Sequence, residues 1–145
     1  MKGNIFKLEQ VLSYRREMEK IRVQEFATAQ DGLFLANREL EKHEQRVSEL
    51  THEFVRCQGD IACIDDIRMY SDFFARKRED IKQQKEHIVL LDQIVDEKRA
   101  DLVEASKDKK VLELLREKKA EEFRREMAAK ERNFLDELSI QKKAM

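Results

Sequence analysis

The sequence has no proline, three glycines, two cysteines and few aromatic residues, most of them phenylalanine. Each scarcity removes a class of function. With so little glycine there is no P-loop and no glycine-rich phosphate cradle. No apolar run approaches the ~20 residues that span a bilayer, and the opening Met1–Gln10 lacks the apolar core of a secretory signal, so a cytoplasmic protein is expected. Cys57 and Cys63 then default to free thiols. Together with His52 they match no zinc-ligand spacing, and a fourth ligand is missing. His43, His52 and His87 are dispersed, and the segment His52–Val55 lacks the second histidine of a zinc protease motif. The formal net charge is −1, with both signs interspersed, unlike the basic face of a nucleic-acid protein. No metal, cofactor, nucleic acid or small-molecule substrate is expected, and no enzyme.

What is present is charge and periodicity. Charged residues make up 42% of the chain, and abundant Ala, Glu, Lys, Leu and Arg with sustained periodicity is the composition of long helix or coiled coil. Disorder would also tolerate such polarity, but a disordered chain has no need of a stripe. One stripe runs through Phe26, Ala29, Leu33, Ala36, Leu40, Val47, Leu50, Phe54 and Cys57, in steps of three and four. A second runs through Ile67, Tyr70, Phe74, Ile81, Ile88, Leu91, Val95, Leu102 and Ala105. Extending the first in its own register reaches Arg68, Ser71, Ala75, Arg78 and Lys82, a solvated face. The second stripe is therefore one residue out of phase, about a 100° rotation, and coiled coils absorb such a slip poorly. Between them lies Gln58–Ile67, where Gly59 and the Asp65-Asp66 pair supply a stop and a start.

The expected fold is all-α: a long two-helix antiparallel coiled-coil hairpin, a single unit over residues 1–145. Its helices are expected at about 4–57 and 65–141 with a tip at about 58–64, each end uncertain by a few residues. Phe26, Leu33, Leu40, Val47 and Phe54 should pack against Phe74, Ile81, Ile88, Val95 and Leu102. A two-helix fold of this kind is expected to offer no concave pocket, and catalysis needs groups fixed with water excluded.

Two features of the seam need separate explanation. Arg15, Glu19 and Arg22 fall on core positions of the first helix, where polar residues either set register at some cost or mark a stretch that packs on a partner. Gly32 costs about 1 kcal/mol against alanine in a helix, and a close approach by the second helix is one possible reason.

Folding back at the tip sets residue 5 opposite the neighbourhood of residue 120, so the remaining stretch of the second helix has no partner from the first. Yet Ala120, Phe123, Met127, Phe134 and Leu138 keep apolar spacing to the end. Such a stripe needs a cover: a second copy, or, on the reading preferred, another protein in a helix-in-groove arrangement. Charge is also polarised. Acids dominate near the tip through Glu39, Glu41, Glu44, Glu49, Glu53, Asp60, Asp65 and Asp66; bases dominate the open end, with Arg15, Arg16, Arg22, Lys109, Lys110, Arg116, Arg124, Arg125 and Lys130 among them. Ends of opposite character suit an adaptor with different partners at each.

Three segments carry a family resemblance. Phe6–Glu19, with Phe-x-Leu-x-x-Val-Leu followed by Arg and Glu, resembles the opening of the FliJ family, coiled-coil proteins of the bacterial flagellar type III export apparatus. Gly59, a short apolar stretch and then Ile67, Tyr70 and Phe73 are similar to the family's tip. Lys110–Phe123 and Glu131–Leu138 are similar to its closing segment. The order and length match over essentially the whole chain, although Cys63 and the acidic pair depart from the family's tip. The resemblance implies an antiparallel coiled coil like the stalk of the rotary ATP synthase gamma subunit. It implies a place in the centre of the hexameric export ATPase, a link to the membrane export gate, and handling of export chaperones, in a protein peripherally associated with the export apparatus. Carried over by position, Phe6, Leu8, Val11, Leu12 and Lys110–Phe123 would face the ATPase, and Tyr70 and Phe73 the gate. The basic residues Arg116, Arg124 and Arg125 with Phe123, Met127 and Phe134 would complete the ATPase end. A dimeric structural coiled coil and the injectisome counterpart are the alternatives.

Overall fold

A computed structural model describes the backbone of residues 2–59 and 64–144 and the side chains of residues 8–59 and 64–144. The fold is an all-α helical hairpin. Helix α1 covers Lys2–Cys57 and helix α2 covers Ile64–Ala144. Among the described residues there is no strand, and no helix is long and apolar enough to cross a membrane. Absence of proline leaves every interior amide able to donate to the helix ladder. Asp65 and Asp66 stand in the first turn of α2 and Lys142 and Lys143 in its last, each placed favourably against the helix dipole. The side chains of Thr28 and Thr51 donate to carbonyl oxygens one turn back, at 2.9 and 2.7 Å, which satisfies both hydroxyls within α1.

The helices divide into two compact units, residues 22–102 and residues 1–21 with 103–145. In the first, α1 and α2 run antiparallel. Phe54 meets Tyr70 and Phe74 edge-on, with ring centroids 5.2 and 6.5 Å apart. Further along, His43 Nδ1 lies 3.2 Å from Lys77 Nζ, Gln84 Nε2 donates to the Ala36 carbonyl at 2.9 Å, and Lys98 pairs with Glu25 at 3.6 Å. Partners on α2 thus fall further along it as those on α1 lie further back, the antiparallel register set by the two stripes. Ala36, Leu50 and Val95 are buried, while Phe26, Leu33, Leu40, Val47, Phe54, Phe74, Ile81, Ile88 and Leu102 are half-buried. Two helices can cover each other only along one stripe, so the core is thin.

In the other unit Leu12 is the deepest side chain of the protein, 1% exposed. Around it the contact is ionic. Arg116 pairs with Glu9 at 2.6 Å, Arg16 with Glu113 at 3.6 Å, Arg15 with Asp108 at 3.4 Å and Lys109 with Glu19 at 2.8 Å. From Ala120 to Ala144 every side chain of α2 is exposed.

The structure bears on three features of the sequence. A Cβ built on Gly32 meets nothing within 4 Å, so no close approach by α2 explains that glycine. Gly59 does not adopt a positive φ, so the stop after Cys57 does not use the left-handed cap that glycine usually serves. Finally, the core positions of Arg15, Glu19 and Arg22 are satisfied within the hairpin, Arg22 by Glu25 at 3.0 Å and by Asp101 at 4.0 Å. They need no outside partner, because the opposing stretch of α2 is charged in the complementary sense.

Candidate docking surfaces

The exposed end of α2 presents the first candidate surface. Phe123, Met127, Phe134 and Leu138 are 44%, 50%, 59% and 44% exposed, large values for apolar residues at regular helical spacing. Arg124 and Arg125 flank Phe123, and Arg125 Nη2 donates to Glu121 one turn back at 3.0 Å. That pair is exposed on the helix surface and holds little, which leaves the guanidinium available to another carboxylate. Lys130, Arg132, Lys142 and Lys143 are exposed on the same segment. Glu121, Glu122, Glu126, Glu131, Asp136 and Glu137 alternate with these bases, so the apolar strip can bury area in a groove while the adjacent Arg124 and Arg125 guide the approach.

The four α1 residues placed at this end by resemblance divide. Val11 is exposed and Leu8 half-buried. Leu12 is enclosed by the hairpin and presents nothing to a partner. The side chain of Phe6 lies outside the described residues. Arg116 is engaged with Glu9 through a partly exposed contact.

The ionic contacts between α1 and α2 have a distinct electrostatic character. The hydrogen bond from Lys109 holds the Glu19 carboxyl below its ordinary range, with a second from Ser106. The same bond holds the Lys109 ammonium above its ordinary value. Glu25 is lowered in the same way by Arg22 and Lys98. Folding the chain back at the tip and matching charges would have found these partners, since Asp101, Asp108 and Lys109 sit where the antiparallel register needs them.

The second candidate surface lies on the unit spanning residues 22–102, where a concave site was not expected. An open groove of about 590 Å³ runs beside the seam near the tip, between Arg46, Leu50, Glu53 and Cys57 of α1 and Asp66, Met69, Tyr70, Asp72, Phe73 and Arg76 of α2. It exists because large side chains flank a narrow buried stripe. Leu50 is buried at the floor, Met69 is 70% exposed on the wall, and Tyr70 and Phe73 are half-buried between them. Phe73 rests edge-on against Phe74 at 6.4 Å, and Lys77 Nζ lies 5.7 Å from its ring centroid. Burial raises the Tyr70 phenol above its ordinary value, with the Glu53 carboxylate adding to it, so the ring is neutral at any physiological pH. The groove holds both residues assigned to the tip, Tyr70 and Phe73. Arg46, Met69 and Arg76 escaped notice because they stand beside the apolar stripes rather than in them; their spacing from Leu50 and Phe73 by three or four residues was the available signal.

Cys57 is a half-buried free thiol in this groove, and Cys63 lies outside the described residues. No group of three or more metal-ligating side chains forms among the described residues. The family described as Flagellar FliJ protein matches residues 4–144. No curated protein and no solved structure matches the chain.

Proposed function

The chain belongs to the FliJ family of flagellar protein export, within which we propose that it acts, without catalysis, as a stalk between two partners. The open end, with the α2 segment beyond Ala120, docks on the hexameric export ATPase. The tip, through Tyr70 and Phe73, contacts the membrane export gate. Export chaperones are escorted on the same helical surfaces, and the protein works on the cytoplasmic side, peripherally associated with the apparatus.

One observation carries this reading. The apolar stripe of Phe123, Met127, Phe134 and Leu138 continues along α2 beyond Ala120, and it is exposed throughout. Leaving such a face in water gives up the burial that the rest of α2 achieves, and a helix-binding groove recovers it. The basic residues beside it support an acidic approach path on the ATPase.

Sedimentation of the chain with and without purified export ATPase tests the proposal. A small molar fraction of chain co-sedimenting with the hexamer is the expected result. A chain that sediments alone at every ratio overturns it. Charge reversal at Arg124 and Arg125 should slow association, and added salt should do the same with little effect on dissociation.

A further inference from the structure

The tip groove is polarised along its length. Arg46 of α1 and Arg76 of α2 stand at the end away from the tip, and Cys57 and Asp66 at the tip end, with Phe73, Glu53, Tyr70 and Met69 between. The level of each follows from the Phe54–Tyr70 contact, with about 1.5 Å of rise for each residue moved along either helix. From Arg46 to Cys57 the groove is therefore roughly 16 Å long. Asp72 lies on the outer wall between the charged ends. Arg46 rests only on Glu49, at 3.5 Å in an exposed contact.

The chain contains a segment of matching order. On α2, Glu131, Phe134, Leu135, Leu138 and Lys142 fall within one narrow face of the helix, because steps of three, four and seven residues return to the same side. Phe134, Leu135 and Leu138 are 59%, 57% and 44% exposed. Glu131 to Lys142 spans roughly 16 Å of helix, the same as the groove. The order is acid, apolar, base, the complement of the groove read from its arginine end.

We propose that the tip groove takes the segment Glu131–Lys142 of a second copy of this chain, running antiparallel to the groove's α2 wall. Glu131 meets Arg46 and Arg76, the three apolar side chains cover Met69, Tyr70 and Phe73, and Lys142 reaches Asp66. The occupant comes from another copy because the groove wall and the segment belong to one continuous helix. The contact adds a third helix to a two-helix seam and buries what that thin core leaves in water. It is small, so the association is weak and concentration-dependent. It also covers the stripe assigned to the ATPase, so that self-association and ATPase docking exclude each other.

Sedimentation velocity on the full chain alone, from roughly 5 to 500 μM, reads this directly and independently of any ATPase. The expected result is reversible self-association across that range. Leu138→Asp should weaken it by roughly 30-fold or more, and Arg76→Glu by about fivefold to tenfold. Both residues are exposed, and unchanged helicity by circular dichroism shows that folding is intact. The decisive variant is the charge swap. Arg46→Glu and Arg76→Glu combined with Glu131→Arg should return self-association to within about threefold of the original, while Glu131→Arg alone weakens it. A chain that stays monomeric throughout overturns the proposal and leaves the groove to a different protein. Self-association that ignores Leu138→Asp, or a charge swap that fails to rescue, overturns it equally.

Discussion

Along α2, Val95 is 3% exposed and Phe123 is 44% exposed, although both stand in the same phase of one apolar repeat. Leu102, Lys109 and Arg116 occupy the seven-residue steps between them. At Val95 and Leu102 the seam against α1 is apolar. At Lys109 and Arg116 it is ionic, closed by Glu19 and Glu9. At Phe123 the side chain is exposed, with no described partner from α1. A repeat fixes which face of a helix looks inward, but whether that face is buried depends on what stands opposite. The same spacing therefore builds core in one stretch, charge pairing in the next and an open surface in the third.

The comparison breaks first at Leu12. It is the most enclosed side chain in the unit that also contains Phe123, so Leu12→Ala should destabilise the isolated chain by about 2–4 kcal/mol, seen as a lower urea midpoint. A two-helix seam can relax around the gap, which favours the lower end. A midpoint unchanged within error would mean that the ionic stretch alone holds this unit closed.

Gly32→Ala sharpens it from the other direction. The added methyl meets nothing within 4 Å, the φ angle is helical in sign, and alanine restricts the unfolded chain. The expected gain is about 0.5–1 kcal/mol, read as a higher midpoint. A loss instead would show that Gly32 serves a contact made only in an assembly.

The ionic stretch makes a third, smaller prediction through pH. Glu19 and Glu25 are held below the ordinary carboxylate value of 4.5. A depressed folded value adds stability that is present above the unfolded value and is lost as pH falls through the folded one. Lys109 is raised above 10.5, so its share is present below that value and lost as pH rises through the folded one. Thermal midpoints should therefore hold across neutral pH and fall at both extremes, with the acid loss shallower in Glu19→Gln. An identical acid limb in that variant would remove Glu19 from the account. These pairs are partly exposed, so each contributes modestly.

Much of this was legible in the sequence. The out-of-phase stripes marked the break between two helices, of which α1 ends at Cys57 and α2 begins at Ile64. The buried side chains among the described residues, Leu12, Ala36, Leu50 and Val95, lie on positions that the spacing marks as apolar seam. The exposure of Phe123 followed from counting residues on either side of the tip. The tip groove did not follow, because a groove is made by the sizes of neighbours flanking a seam, such as Met69 and Phe73 beside Leu50, and period alone carries no information about size. The closure of Arg15, Glu19 and Arg22 within the hairpin is a different case. Their charges were visible, and the antiparallel register that sets residue 5 opposite residue 120 also sets Asp108, Lys109 and Asp101 within reach of them. The signal lay in reading two chain segments together rather than either one.

The smallest expected change in stability belongs to Phe123→Ala, and for that reason it divides the readings most cleanly. Phe123 lies where α2 has no described neighbour from α1, and it is nearly half exposed. Truncation therefore removes little buried area, and replacing an exposed aromatic by the best helix former costs the helix nothing. The urea midpoint of the free chain should move by less than about 0.5 kcal/mol. On the ATPase the same side chain becomes an anchor, and losing it should shorten residence time while leaving the association rate near its original value. Arg124 and Arg125 should behave in the opposite way, changing association and not residence. Should Phe123→Ala instead destabilise the free chain as much as Leu12→Ala does, the stripe would be ordinary core in solution, covered by a second copy or by α1 itself, and the docking surface for the ATPase would have to lie elsewhere.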